Sequence, residues 1–254
     1  KIDNKTLNDI YLTDCSLSMF ERLLRKYAND DEVSYMLTKQ GRMHTEIAEF
    51  PNSQFYGNKL EIVPLPHQTE ELQSYSDKNN ISNILLHHRV IFFSVKSNSS
   101  KLNNKVNKEE AEIIAELVYN TYINNRSNFD INNTIGVIVP YRNQIAAIKY
   151  NLQYKYPELN LDKITIDTVE RFQGSQRDYI IYGLTIQERY QLNFLTENSF
   201  IEENQIIDRK LNVAMTRAKK QLIFVGNDSL ISENKLYYHL VKHIKKKNSF
   251  FELK

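Results

Sequence analysis

The chain has 254 residues, of which 41% are hydrophobic and 25% charged, with a formal net charge of +2. That length holds one large domain or two small ones, and the small net charge excludes a uniformly basic surface, so any nucleic acid would meet a local patch. No apolar run approaches the roughly 20 residues that span a bilayer; the polar start Lys1-Ile2-Asp3-Asn4-Lys5 has no signal-peptide core; and the single cysteine, Cys15, excludes an internal disulfide and a cysteine-based zinc site, which fits a cytoplasmic protein.

Apolar periodicity then gives the expected elements in order. Leu17 to Tyr27 reads as a helix and Val33 to Leu37 as a strand. Thr45 to Phe50 reads as a short helix stopped by Pro51. Residues 65–88 read as a loop or excursion. Val90 to Val95 reads as a strand, Glu109 to Ile123 as a helix, and Ile135 to Val139 as a strand ended by Pro140. A helix from about Asn143 to Tyr154 follows. Lys163 to Thr168, Tyr179 to Leu184 and Leu222 to Val225 are further strands, and residues 188–205 a polar insertion. Buried strands alternating with helices predict an α/β fold, a mostly parallel sheet covered on both faces, with the whole of 1–254 as one domain. Six strands, near Val33, Val90, Ile135, Ile164, Ile180 and Leu222, are expected to share that sheet.

In open parallel sheets ligands gather beyond the carboxyl ends of strands, so polar clusters beside strands are the first candidates for a site. One is Lys39-Gln40-Gly41-Arg42-Met43-His44. A second is Glu170-Arg171-Phe172-Gln173-Gly174-Ser175-Gln176-Arg177-Asp178. A third, Leu211-Asn212-Val213-Ala214-Met215-Thr216-Arg217-Ala218-Lys219, precedes the last strand. Singly, each has a plain alternative: a solvated arginine, a Gln-Gly turn, an amphipathic helix. His87-His88 has no further ligand and reads as a surface loop, so no metal site is expected. The run Lys242-His243-Ile244-Lys245-Lys246-Lys247 reads equally as a basic patch or as a helix end favoured by its dipole.

The order of these clusters resembles the C-terminal RecA-like domain of superfamily 1B helicases, the branch that includes the RNA helicase of nonsense-mediated decay and a flap-trimming helicase–nuclease. Ser16-Leu17-Ser18-Met19-Phe20-Glu21-Arg22-Leu23 resembles the family's S-x-S-L-F-E-R-L. Gln40 to His44 resembles motif IV, Q-Y-R-M-H, continued by Phe50-Pro51 and Phe55-Tyr56. Asn107 with Glu110-Ala111 resembles N-x-x-E-A, and Val139-Pro140-Tyr141 with Gln144 resembles T-P-Y. Thr168-Val169, Phe172-Gln173-Gly174 and Asp178 resemble motif V, and Leu211 to Lys219 motif VI. The resemblance covers about Ser16 to Asp228. It implies a RecA-like P-loop NTPase fold without the phosphate-loop domain, since no G-x-x-x-x-G-K-[ST] occurs.

What the resemblance implies for chemistry is specific. Arg42 and Arg217 would be catalytic, reaching the γ-phosphate of ATP held with Mg2+ by the first RecA-like domain of the same protein. Arginine suits that task because it stays charged and offers forked donors. Gln40, Gly41, Gly174 and Gln176 would line the nucleotide. Thr168, Pro140 and Tyr141 would lie along a single-stranded DNA or RNA. Gln173, His44 and Thr216 would couple the two sites. Two positions depart from the pattern: Gly41 stands where the family has a base-stacking aromatic, and Gln176 where it has a ribose-binding Glu. Both departures also suit a rival reading, a non-catalytic interaction module with a degenerate RecA-like fold.

Overall fold

Six strands line up side by side and all run the same way in the computed structural model, which describes residues 2–15, 18–27, 30, 32–72, 80–96, 105–197, 199–202 and 205–253. They are β1 (Val90–Val95), β2 (Ile135–Ile138), β3 (Thr165–Asp167), β4 (Arg177–Gly183), β5 (Ala218–Gly226) and β6 (Phe250–Leu253). Their order across the sheet is β6-β1-β5-β4-β2-β3, and every pairing is parallel. Side chains alternate between the two faces, as a pleated strand buried on both sides requires. Phe92, Ile180, Tyr182, Leu222 and Phe224 enter one hydrophobic cluster. Ile91, Phe93, Val137, Ile181, Ile223 and Val225 enter the other.

Helices cover both faces. The first cluster receives α1 (Thr45–Phe55), α4 (Arg209–Met215) and α5 (Lys235–Lys246), through Ile47 and Phe50, Leu211 and Met215, and Leu236 and Leu240. The second receives α2 (Lys108–Asn124) and α3 (Arg142–Lys155), through Ile114, Leu117 and Val118, and Ile148 and Leu152. Each fully buried Leu, Ile or Phe contributes about 1.5–3 kcal/mol by leaving water, so these two sandwiched layers dominate the stability of the fold. The first turns of α2 and α4 are capped by Asn107 and Asp208, whose side chains accept from the Glu110 and Leu211 backbone N–H groups.

The chain divides into two compact units, Lys1–Thr38 and Lys39–Lys254, and the sheet belongs to the second. In the first unit, Met19–Lys26 is helical behind a Ser18/Glu21 capping box. Ser16 and Leu17, the start of that expected helix, lie outside the described residues. Val33 to Leu37 is not a strand: Val33, Tyr35 and Leu37 are exposed, and no described strand pairs with them. β-branched and aromatic residues favour a strand only where a neighbour covers them. The sixth place in the sheet goes instead to β6, whose Phe250 stacks on Phe92.

Three further expectations change. Helix α1 runs through Pro51 to Phe55. Proline forfeits one helical hydrogen bond, but Phe50 and Pro51 are both buried in this helix, and that burial outweighs the loss. Residues 65–88 hold two short helices, Pro66–Thr69 and Ile81–His87, with 73–79 outside the described residues. Residues 188–205 hold a helix, Arg189–Leu195, and Ser199–Glu202 of an antiparallel hairpin with Gln205–Asp208; residues 198, 203 and 204 lie outside the description.

Candidate functional site

Motif IV is shaped by its own glutamine. Gln40 Oε1 accepts from the backbone N–H of Arg42 (3.0 Å) and Met43 (2.8 Å), and its Nε2 donates to the Met43 carbonyl (3.0 Å). The buried Gln68 clamps the same turn, donating to the carbonyls of Gln40 and Met43. His44 caps α1, its Nδ1 accepting from Glu46 N and its Nε2 donating to the Glu70 carbonyl (3.1 Å). Burial, with Arg89 nearby, lowers its pKa, so the ring is held neutral. The turn thereby presents Arg42 from a fixed base.

Arg42 reaches motifs V and VI. Its Nε donates to Gln176 Oε1 (3.0 Å) and its Nη1 to the Thr216 carbonyl (2.9 Å). Arg217 donates from Nε to the Val213 carbonyl and from Nη1 to the Ser175 carbonyl, each at 3.2 Å. Burial lowers the Arg217 pKa, and the charge of Arg42 lowers it further. Both guanidinium groups are partly open to solvent, and among the described residues neither has a carboxylate within ion-pair distance. Two cations close enough for one to lower the pKa of the other, and without a carboxylate partner, are the kind of group that attracts a multiply charged anion. The backbone of Gly174 supports the turn with φ +83°, a conformation that suits glycine. Gln173 and Gly174 are exposed. Thr216 turns its hydroxyl back onto the Asn212 carbonyl.

The location differs from the carboxyl-end expectation. Gln176 and Arg217 immediately precede β4 and β5, and His44 N donates to the Lys219 carbonyl beside them. The arginine pair therefore occupies the amino-end rim of the sheet. Thr168 follows β3, and Pro140 and Tyr141 follow β2, so these lie on the carboxyl-end rim. The rule of carboxyl-end binding applies to a sheet that itself cradles the ligand. Residues 168–176 cross from one rim to the other, pinned by buried Val169 and Phe172.

On the carboxyl rim Tyr141 is half-buried and stacks on Phe194, with ring centroids 5.1 Å apart and planes 15° apart. Burial raises its pKa. Lys210 Nζ lies 4.6 Å from the Phe194 ring centre and pairs with Glu197 at 2.7 Å and Glu170 at 3.8 Å. Sequence reading missed Phe194 and Gln68, whereas Tyr56, whose hydroxyl meets Asn212, lay inside the Phe55-Tyr56 continuation of motif IV. Two lysines of the basic run are paired within the chain: Lys245 of α5 with Asp228, and Lys247, just past α5, with Glu49.

Gly41 is exposed, and a Cβ there would meet Leu65 Cδ1 at 3.4 Å, an ordinary contact. Nothing in the backbone requires glycine. Among the described residues no cluster of three His, Cys, Asp or Glu side chains could hold a metal ion, and no helix is long and apolar enough to cross a membrane.

A family model described as an AAA domain matches residues 15–229. The chain belongs to this family. Its relatives are superfamily 1 helicases, and the chain is a C-terminal RecA-like helicase domain. It is 32% identical to regulator of nonsense transcripts 1 of Dictyostelium discoideum, over 93% of this chain and 16% of that protein. It is 32% identical to DNA polymerase alpha-associated DNA helicase A of Saccharomyces cerevisiae, over 83% of this chain and 30% of that one. An ATP-dependent helicase of Methanocaldococcus jannaschii is also 32% identical, over 90% of this chain and 31% of its own length. The domain thus spans less than a third of each of these relatives.

Proposed function

We propose that this domain is the second motor half of an ATP-dependent helicase or translocase acting on single-stranded DNA or RNA. Arg42 and Arg217 reach the γ-phosphate of ATP held with Mg2+ by a first RecA-like domain. The observation that carries this reading is a pair of guanidinium groups close enough for the charge of Arg42 to lower the Arg217 pKa, held by neutral oxygens at one rim with no carboxylate partner among the described residues. In phosphoryl transfer charge builds on the phosphoryl oxygens, and fixed cations stabilise it most when water is excluded. Closure of the two motor domains brings the arginines to the nucleotide. Their backbone acceptors, the carbonyls of Ser175, Val213 and Thr216, hold them ready in the open state. Gln40 and His44 set the motif IV turn, and Gly174 and Gln176 line the nucleotide's edge. Residues 168–176 couple that rim to Thr168, Pro140 and Tyr141, beside the strand.

The reading predicts that the isolated domain does not hydrolyse ATP. In the full-length protein Arg217→Ala should retain measurable ATP binding and lose about 10³-fold or more in strand-stimulated turnover. Steady-state kinetics with a single-stranded oligonucleotide decide it. A variant within a few-fold of the parent would remove the catalytic role and favour a non-catalytic interaction module.

A further inference from the structure

Neither the N-x-x-E-A match nor Gln144 has a part in the chemistry above, yet the structure joins them behind the carboxyl rim. Asn107 N donates to Gln144 Oε1 (2.9 Å), and Gln144 Nε2 donates to the Asn107 carbonyl (3.0 Å), a closed amide clasp between buried residues. Gln144 sits in the first turn of α3, where its N–H donates to the Tyr141 carbonyl. The clasp therefore fixes the point at which Tyr141 leaves the sheet. Three residues on, Glu110 is fully buried. Its carboxyl accepts from Thr185 N at 2.9 Å and from Thr185 Oγ1 at 3.0 Å. Thr185 has φ 53°, a left-handed conformation that a β-branched residue rarely holds unaided. Gly183 leaves room for the carboxyl, since a Cβ there would lie 2.8 Å from Glu110 Oε1. Gln187, two residues past Thr185, donates to the Val106 carbonyl at 2.9 Å. Residues 106–110 thus fasten two separate segments of the rim.

We propose that Glu110 and Gln144, with the Asn107 backbone, are positioning residues for the single strand. They set the Tyr141 turn and the Thr185 turn, so strand affinity depends on side chains that never touch the strand. The proposal rests on the reading of the carboxyl rim as the strand face. A buried carboxyl without a cation partner among the described residues is a costly way to hold a fold. Here its hydrogen bonds go to one strained turn on the rim.

The test uses the full-length protein and a labelled single-stranded oligonucleotide, with affinity read by anisotropy well below each variant's melting transition. Measured at about pH 9, where the parent carboxyl with its pKa of about 8 is ionised, Glu110→Gln keeps the volume but replaces one acceptor oxygen with a donor. It should weaken strand binding by about 2- to 30-fold and leave the affinity for a fluorescent ATP analogue unchanged. Adding Thr185→Gly, which takes a positive φ without help, should restore most of the loss. A merely structural carboxyl predicts no such rescue. Should Glu110→Gln fail to fold, Gln144→Met breaks only the clasp and is read by the same measurements. If Tyr141→Ala weakens the strand and Glu110→Gln does not, the positioning role is wrong. If the parent binds no strand, or Tyr141→Ala has no effect, the strand-face reading falls. Hydrogen–deuterium exchange then decides the positioning role alone. Faster exchange in Glu110→Gln across 140–146 and 184–188, with 209–215 unchanged, upholds it, and unchanged exchange overturns it.

Discussion

At the amino ends of β4 and β5, Arg42 and Arg217 are partly open to solvent and bound to neutral oxygens. At the carboxyl ends of β2 and β4, Glu110 is sealed from solvent and bound to a single threonine. One end of the sheet keeps positive charge available and loosely tethered. The other spends a buried carboxyl on the shape of a turn. The contrast teaches how solvent decides the state of an ionisable group without an opposite charge beside it. Where water reaches it, as at the arginines, it stays charged. Where water is excluded, as at Glu110, burial favours the neutral form and hydrogen bonds satisfy it.

The strongest way to break the comparison is to remove both arginines. If they act on one phosphate as a unit, Arg42→Ala combined with Arg217→Ala should lose little more turnover than the worse single variant, itself down about 10³-fold. Full additivity in a double-mutant cycle would mean that the two serve separate steps. Next in size is a pair of glycines, one at each rim. Gly183→Ala places a Cβ 2.6 Å from Ile114 Cδ1 and 2.8 Å from Glu110 Oε1, whereas Gly41→Ala meets only Leu65 at 3.4 Å. The first should cost about 1–3 kcal/mol of stability, and the second about 0.5 kcal/mol or less. Denaturant titration measures both, and equal costs would erase the difference between a packed rim and an open one.

Burial raises the Glu110 pKa from 4.5 to about 8, against the opposing hydrogen bonds from Thr185. A folded-state pKa raised above the unfolded value means that the native state holds the proton more tightly. The stability this confers is complete below the unfolded pKa and is lost as pH rises toward about 8. The melting temperature of the parent should therefore fall between pH 5 and 8 relative to Glu110→Gln, by about 2–4 °C for each kcal/mol. Parallel curves for the two proteins would show that the carboxyl is not the group responsible. The smallest effect concerns nucleotide choice. Base stacking contributes on the order of 1–3 kcal/mol in strand binding. With Gly41 in place of a ring, GTP should be hydrolysed within about tenfold of ATP, and Gly41→Tyr should tighten ATP binding. A strong ATP preference in the parent would show that another side chain already covers the base.

The sheet was legible because strands buried on both faces leave continuous apolar runs, as Val90–Val95 and Ile135–Ile138 do. The two misread strands share a cause. Val33 to Leu37 has the residues of a strand without a neighbour, whereas Phe250 to Leu253 has a neighbour, β1, that no local pattern announces. The arginine pair was legible as types in order. Its rim was not, because the chain passes from Thr168 to Gln176 in a few residues and so exchanges one end of the sheet for the other. Phe194 stayed hidden because its helix, Arg189–Leu195, is only about two turns long, too short for Tyr190, Leu192, Phe194 and Leu195 to show a helical period inside a stretch that is polar overall.

Strand β6 has a consequence for how this domain comes to be folded. Phe250 pairs with Phe92 and Leu253 with Val95, so β1 stays at an open edge until the ribosome has made nearly everything between them. An exposed edge of Ile91, Phe92 and Phe93 is a template for pairing with other chains. During synthesis the nascent domain carries that hazard for as long as its closing strand is missing. A chain interrupted shortly before Phe250 should aggregate rather than remain a slightly smaller version of the same domain.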